Sequence, residues 1–267
     1  MITLPSVTLL AADSINRPLT LRALALCQQR IRFARAVFLT DGIPADLAIP
    51  PGIDVVRIGR LDSRERYSQL MLKELLPHVQ TSHVLVVQWD GYVVNPDSWS
   101  DAFLECDYIG ARWFWPPAGF RVGNGGFSLR SRRLLEALQH PQIQLRGAED
   151  STICQAFRSS LESGPGIRFA DEATADRFSF ETCDPVDRPF GFHGLFNFCR
   201  VMESSEVEAV LPHLSDAIVA SPQFAALLEQ CLARGQNNLA RTVAQRILNV
   251  RPDDAALREL VGALSKG

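Results

Sequence analysis

The sequence predicts an α/β domain on a mostly parallel sheet, followed by a small helical annex. Three observations carry this. Residues 7–40 read strand, helix, strand. The run Val84-Leu85-Val86-Val87 reads as a strand buried on both faces. From Ser204 the composition turns to Leu- and Ala-rich helical periodicity. With 267 residues, 46% hydrophobic and 21% charged, the chain can bury a full core.

The first strand spans Val7 to Ala12 and closes on Asp13-Ser14. Asn16-Arg17-Pro18 opens a helix with proline near its first position. Leu19, Leu21, Leu24, Ala25 and Ile31 give that helix an apolar face. Arg35 to Thr40 is a second strand ending at Asp41-Gly42, and Ile53 to Ile58 a third, after a Pro-Pro-Gly turn. Arg64 to Leu76 is helical, with Tyr67, Leu70, Met71 and Leu75 at helical spacing. The buried strand then runs into Gln88-Trp89-Asp90-Gly91, and a helix follows from about Ser98 to Leu104. Trp113-Phe114-Trp115-Pro116-Pro117 is an aromatic loop. Ser131 to Leu138 and Ser151 to Leu161 are further helices. In the annex, Ser221 to Pro252 fits one tetratricopeptide-like (TPR-like) repeat through Phe224, Leu227, Gly235, Ala240, Ala244, Ile247 and Pro252. A capping helix spans Asp254 to Leu264. One repeat cannot bury its own face, so residues 204–267 must pack on the main domain or on a protein partner. The domains are accordingly set at 1–203 and 204–267.

Net charge is −3 with no basic run, which argues against a nucleic-acid groove. Six scattered cysteines without a CxxC read as buried free thiols in a reducing compartment. The first ten residues lack the basic segment and cleavage site of a signal peptide. No stretch approaches the roughly 18 apolar residues of a membrane span. A cytoplasmic protein is expected, with peripheral membrane contact left open.

Ligands of open α/β sheets bind outside the carboxyl ends of the strands. Asp13, Asp41 and Asp90 all stand there. Each alone reads more readily as a turn or cap residue than as a ligand group, but three on one edge shift the balance toward a site. Gly123-Asn124-Gly125-Gly126 admits two readings: a hairpin turn between short strands, and a backbone that a ligand can approach closely. Glu149-Asp150 begins a helix, where capping chemistry accounts for both. Trp113 and Trp115 are candidates for stacking on a sugar, or for packing on their own core. His193, in Phe190-Gly191-Phe192-His193-Gly194, is a lone histidine that could reach a cleft and ligate a metal alongside Asp90.

As an ordered set, Gln88-x-Asp90-Gly91, Asp107-Tyr108-Ile109-Gly110-Ala111, Gly123 to Arg130, Glu149-Asp150 and Phe190 to Gly194 resemble a largely uncharacterised family. Its members are bacterial and fungal domains related to GT-A glycosyltransferases. The resemblance covers roughly residues 5–200. It implies a GT-A-like (Rossmann-like) sheet with helices on both faces, binding a nucleotide-sugar donor at its carboxyl edge. In GT-A enzymes an Asp-x-Asp motif holds Mn²⁺ or Mg²⁺ on the donor diphosphate. Here Gln88 replaces the first carboxylate, and an amide is a poor ligand for a hard cation. The resemblance makes Asp90 and His193 the metal ligands, and the pair Glu149 and Asp150 catalytic, with Asp150 the base of an inverting transfer. It places Asp13, Asp41, Tyr67, Gln88, Asn124, Gly125 and Gly126 on the donor. Trp113 and Trp115 are the candidates for the acceptor, a polysaccharide, glycolipid or protein hydroxyl. A retaining reaction would instead place another group near the donor.

The expected function is thus a metal-assisted, inverting glycosyltransferase. The alternative is an inactive nucleotide-sugar-binding or protein-interaction module using the C-terminal helices, which Gln88 permits. A metal-dependent phosphodiesterase would need more His and Asp ligands than this chain offers, with histidine only at 78, 83, 140, 193 and 213.

Overall fold

The computed structural model describes residues 1–265; residues 266 and 267, expected as the end of the annex, lie outside the described residues. The chain divides into two compact units, residues 1–193 and residues 194 onward. The composition change at Ser204 falls later than this division.

The first unit is built on a six-stranded sheet of order β3-β2-β1-β4-β6-β5. Its strands are β1 (Ile2–Ala12), β2 (Ile31–Thr40), β3 (Ile53–Arg57), β4 (His83–Val86), β5 (Tyr108–Ile109) and β6 (Ser128–Ser131). Strands β1 to β4 are mutually parallel, while β6 runs antiparallel to both β4 and β5. This is the mostly parallel α/β sheet expected. Leu10 lies opposite both Val37 and Val86, which puts the most apolar stretches at the sheet centre.

Alternation along the strands sends side chains to opposite faces. Leu10, Val37, Val84 and Val86 pack with Met71, Leu134 and Ile153 in one core cluster. Val7, Leu9, Ala11, Phe38 and Leu85 are equally buried, and α1 (Arg17–Gln28) adds Leu21, Leu24 and Cys27. Ile31, expected on the helix, instead opens β2 and pairs with Ile2. The helix stops earlier because Gln29 and Arg30 turn the chain straight into the strand.

Two helices carry a π turn. In α2 (Arg64–Gln69) it covers Leu70–Glu74. Between α4 (Glu149–Ser151) and α5 (Arg158–Ser163) it covers Thr152–Ala156. The helix expected from Ser98 is two 3₁₀ turns, Pro96–Ser98 and Asp101–Glu105. A short α3 (Arg132–Ala137) follows β6.

The segment after α6 (Glu172–Phe178) forms two-residue parallel strands, β7 (Ser179–Phe180) and β8 (Gly191–Phe192). Buried rings hold them: Phe178 packs on Phe103 at 5.3 Å, on Phe127 at 5.1 Å and on Phe190 at 5.9 Å. Gly191 is required here, because a Cβ would overlap the Phe127 ring.

In the second unit, α7 (Phe198–Val201), α8 (Ser204–Val210) and α9 (Asp216–Val219) precede three longer helices: α10 (Pro222–Ala233), α11 (Asn237–Val250) and α12 (Ala255–Leu264). Phe224, Leu227 and Cys231 of α10 and Leu239, Val243 and Ile247 of α11 are buried, the helical periodicity expected. No described helix is long and apolar enough to cross a membrane.

Candidate functional site

The parallel sheet puts Asp13, Asp41 and Gln88-Trp89-Asp90 at one edge, just past β1, β2 and β4. A cleft of about 260 Å³ opens there, lined by Asp13, Asn16, Arg64, Tyr67, Gln88 and Trp89 among others. Asp13, which lines the cleft, and Asp41 are both engaged within the protein. Asp13 accepts from the Ile15 and Asn16 backbone N–H at 2.5 and 2.8 Å and from the Thr20 hydroxyl at 2.6 Å. Asp41 is paired with Arg17, and hydrogen bonds from Ser14 and Arg17 hold its carboxyl below the usual range. Both shape the first βα turn.

Beyond β4 the chain makes a tight turn. The Gln88 and Gly91 backbones exchange hydrogen bonds of 3.0 and 3.1 Å, putting Trp89 and Asp90 at its tip. The Gln88 amide donates to the Tyr67 hydroxyl at 2.7 Å, which fixes its carbonyl toward His193 Nε2 at 3.1 Å. Asp90 Oδ1 lies 3.7 Å from the same nitrogen. Tyr67 is held as the neutral phenol, because burial and the Glu149 charge push its hydroxyl up.

His193 leaves β8 directly beside the residue that leaves β7. Its backbone N–H bonds the Phe180 carbonyl at 2.9 Å, so Glu181 and His193 emerge together. Glu181 Oε1 sits 2.9 Å from His193 Nδ1, and Oε2 accepts the Trp113 indole N–H at 3.2 Å. Burial alone would lower the imidazole's basicity. Asp90 and Glu181 outweigh it and hold the pKa up to about 9, with Asp150 contributing. Burial likewise opposes the Glu181 charge, yet the hydrogen bond from His193 keeps its carboxyl below the usual range. Glycines make the space: a Cβ on Gly126 would overlap the imidazole, and one on Gly91 would sit 2.7 Å from its Cδ2.

The Gly-rich loop is not the turn of a hairpin. Val122 bridges to Arg112, while β6 pairs with β4 and β5. Asn124 adopts positive φ (63°) and its Oδ1 accepts the Phe127 N–H at 3.1 Å, a local turn that asparagine tolerates. The Asn124 amide faces His193 at 3.0 Å. Under the loop lies Arg130, 0% exposed. It binds Glu149 at 3.0 Å and the Gly125 carbonyl at 3.3 Å, and stacks on Tyr108 at 5.6 Å. Burial pushes the Glu149 carboxyl up against the pull of Arg130.

This separates the acidic pair. Glu149, expected as catalytic, is a buried partner of Arg130. Asp150 is half-buried, and its Oδ2 accepts the Gly125 N–H at 3.0 Å. The aromatic loop divides similarly. Trp113, expected at the acceptor, is only 3% exposed because its indole N–H is turned inward to Glu181. Trp115, 52% exposed, stacks on it at 5.2 Å and presents the outer face.

The structure thus gathers Gln88, Asp90, Asn124 and Gly126 around the His193 imidazole, with Tyr67 behind Gln88 and Gly125 with Asp150 alongside. Sequence reasoning missed Glu181 and the burial of Arg130. The available signals were the Phe178-Ser-Phe180 alternation leading into Glu181 and an arginine embedded in a strand beside Leu129.

An α/β protein with a polar cleft at the carboxyl edge of a mostly parallel sheet is the class these features define. The chain belongs to the family described as "Protein of unknown function (DUF5672)", whose model matches residues 53–193. No curated protein matches it. Among solved structures it is similar to a glycosyltransferase involved in the glycosylation of the major capsid of PBCV-1. The identity is 11% over 71% of this chain and 92% of that one, with a TM-score of 0.43. It is also similar to the glycosyltransferase GlyE of Streptococcus pneumoniae TIGR4. The apo form aligns at 13% identity over 70% of this chain and 54% of that one, TM-score 0.43. A second GlyE structure aligns at 15% over 62% and 44%, TM-score 0.39.

Proposed function

We propose that this protein is a cytoplasmic, nucleotide-sugar-dependent glycosyltransferase that inverts the anomeric carbon with help from Mn²⁺ or Mg²⁺. The observation that carries the reading is the approach of Gln88 (3.1 Å) and Asp90 (3.7 Å) to His193 Nε2 beside the cleft, with Asp150 held nearby on Gly125.

A hard divalent cation would meet a donor set with one charged ligand. That set offers a carboxylate oxygen, an amide oxygen and one imidazole nitrogen. Among the described residues no three His, Cys, Asp or Glu side chains are placed to hold a metal ion by themselves, so Asp90, His193 and the Gln88 carbonyl would share the cation with diphosphate oxygens and water. When bound, it would neutralise charge on the departing diphosphate. His193 would release its Nε2 proton to take part.

The remaining work falls to the chain itself. Asp150 accepts the acceptor hydroxyl proton as that oxygen bonds the anomeric carbon. The bond from that carbon to the diphosphate oxygen breaks, and its electron pair leaves with the diphosphate. The Gly125 N–H orients the Asp150 carboxylate. Trp115 offers an exposed ring on which an acceptor sugar would stack.

The test is incubation with a panel of nucleotide-sugars and Mn²⁺, following donor hydrolysis and heat stabilisation. At least one donor is expected to do both, and Asp90→Ala to fold normally and lose both. If none stabilises the protein, the reading fails. Gln88 in the place of a carboxylate favours a second reading: binding without hydrolysis or transfer would mark an inactive nucleotide-sugar-binding module.

A further inference from the structure

Glu181 belongs to none of the motifs, yet it touches three side chains of the site. Oε1 meets His193 Nδ1 at 2.9 Å, Oε2 accepts the Trp113 N–H at 3.2 Å, and the Asn124 amide donates to the same carboxylate. An ionised carboxylate only accepts. Nδ1 must therefore carry the hydrogen in that bond, whatever the state of Nε2.

The neighbours leave the ring one orientation. The Asn124 amide keeps its oxygen on the Phe127 N–H at 3.1 Å, so its nitrogen lies 3.0 Å from Nδ1, and its hydrogen goes to the Glu181 carboxylate that both nitrogens share. The Gln88 amide cannot turn its nitrogen to His193, because it donates to Tyr67 at 2.7 Å. Flipping the imidazole would set ring carbons against Glu181 and Gln88, and the ring lies packed on Gly91 and Gly126, where any Cβ would meet it. Pairing of β7 with β8 fixes the backbones of both residues.

We propose that Glu181 is a positioning residue: it holds His193 with Nδ1 protonated and Nε2 aimed at Asp90, and through Trp113 it anchors the aromatic loop to the same imidazole. What Nε2 then binds rests on the metal-assisted reading above; the orientation itself does not. A carboxylate behind a ligating histidine typically contributes 10–100-fold to metal affinity.

The experiment uses the full chain with two variants, Glu181→Ala and Glu181→Gln. Long-range ¹⁵N NMR reads the His193 tautomer in metal-free protein, above the pH at which the ring loses its proton. Electron paramagnetic resonance reads Mn²⁺ binding. Wild type should show the Nδ1–H tautomer. Glu181→Ala should shift it toward Nε2–H and weaken Mn²⁺ by roughly 10–100-fold. Glu181→Gln keeps an acceptor oxygen and should recover part of both, and it serves alone if the alanine variant does not fold. A wild-type Nε2–H tautomer, or variants that change neither readout, overturns the proposal. A tautomer that shifts as expected while wild type takes up no Mn²⁺ supports the role of Glu181 and removes the metal instead.

Discussion

The His193 imidazolium should make stability pH-dependent in a calculable way. Burial works against the charge, but Asp90 and Glu181 more than compensate, raising the pKa from 6.5 to about 9. At about 1.4 kcal/mol per pH unit, that gap corresponds to about 3 kcal/mol. The depressed carboxyl of Glu181 is the same contact seen from the other side and is not added. Because the folded pKa is the higher one, the full contribution is present below pH 6.5. It declines as pH rises and is gone above about 9. All four tryptophans, 89, 99, 113 and 115, lie in the first unit, so their fluorescence during urea unfolding reports that unit. The assay compares wild type with His193→Gln, in EDTA, from pH 6 to 9.5. The stability difference between them should shrink by about 3 kcal/mol across that window. A difference that stays flat, or grows with pH, would refute an imidazolium held between two carboxylates.

Other outcomes follow from the same geometry. Gly126→Ala must push the His193 ring aside; it should cost about 1–3 kcal/mol and abolish Mn²⁺ binding, read by urea titration and paramagnetic resonance. Gly262→Ala, in open space on α12, is the control and should be neutral or stabilising by up to about 1 kcal/mol. Arg130→Met leaves Glu149 buried without its cation and should destabilise by about 3–5 kcal/mol in urea. Asp150→Asn should lower kcat by roughly 10²–10⁴-fold at unchanged Tm. Trp115→Ala should raise the acceptor KM by roughly two- to ten-fold and leave Tm alone.

Much of the frame was legible because burial writes itself into composition. Val84 to Val87 could only be a central strand, and Asp13, Asp41 and Asp90 follow from parallel strands sharing one edge. Boundaries fared less well where two patterns overlap. Ile31 continues the apolar periodicity of α1, yet Ile2 across the sheet claims it. The π turns at 70–74 and 152–156 keep Leu70, Met71, Ile153 and Cys154 buried as expected, so those positions do not reveal them. The site was legible as residue types and illegible as partnerships. Nothing in Glu149-Asp150 says that Arg130 takes the first and Gly125 the second. Nothing in the aromatic loop says that Trp113 turns inward, because its partner Glu181 is distant in sequence. Glu181 itself meets His193 only through the pairing of two very short strands, held by packed phenylalanines rather than by a long ladder.

Calorimetric titration of nucleoside diphosphates, with and without Mn²⁺, into wild type, Asp90→Asn and Asp150→Asn addresses the central claim most directly. Wild type and Asp150→Asn should bind one of them in the presence of Mn²⁺ and lose it in EDTA, while Asp90→Asn should not bind. Equal binding by Asp90→Asn, or no binding by wild type with Mn²⁺ present, would contradict a donor diphosphate held at Asp90 and His193.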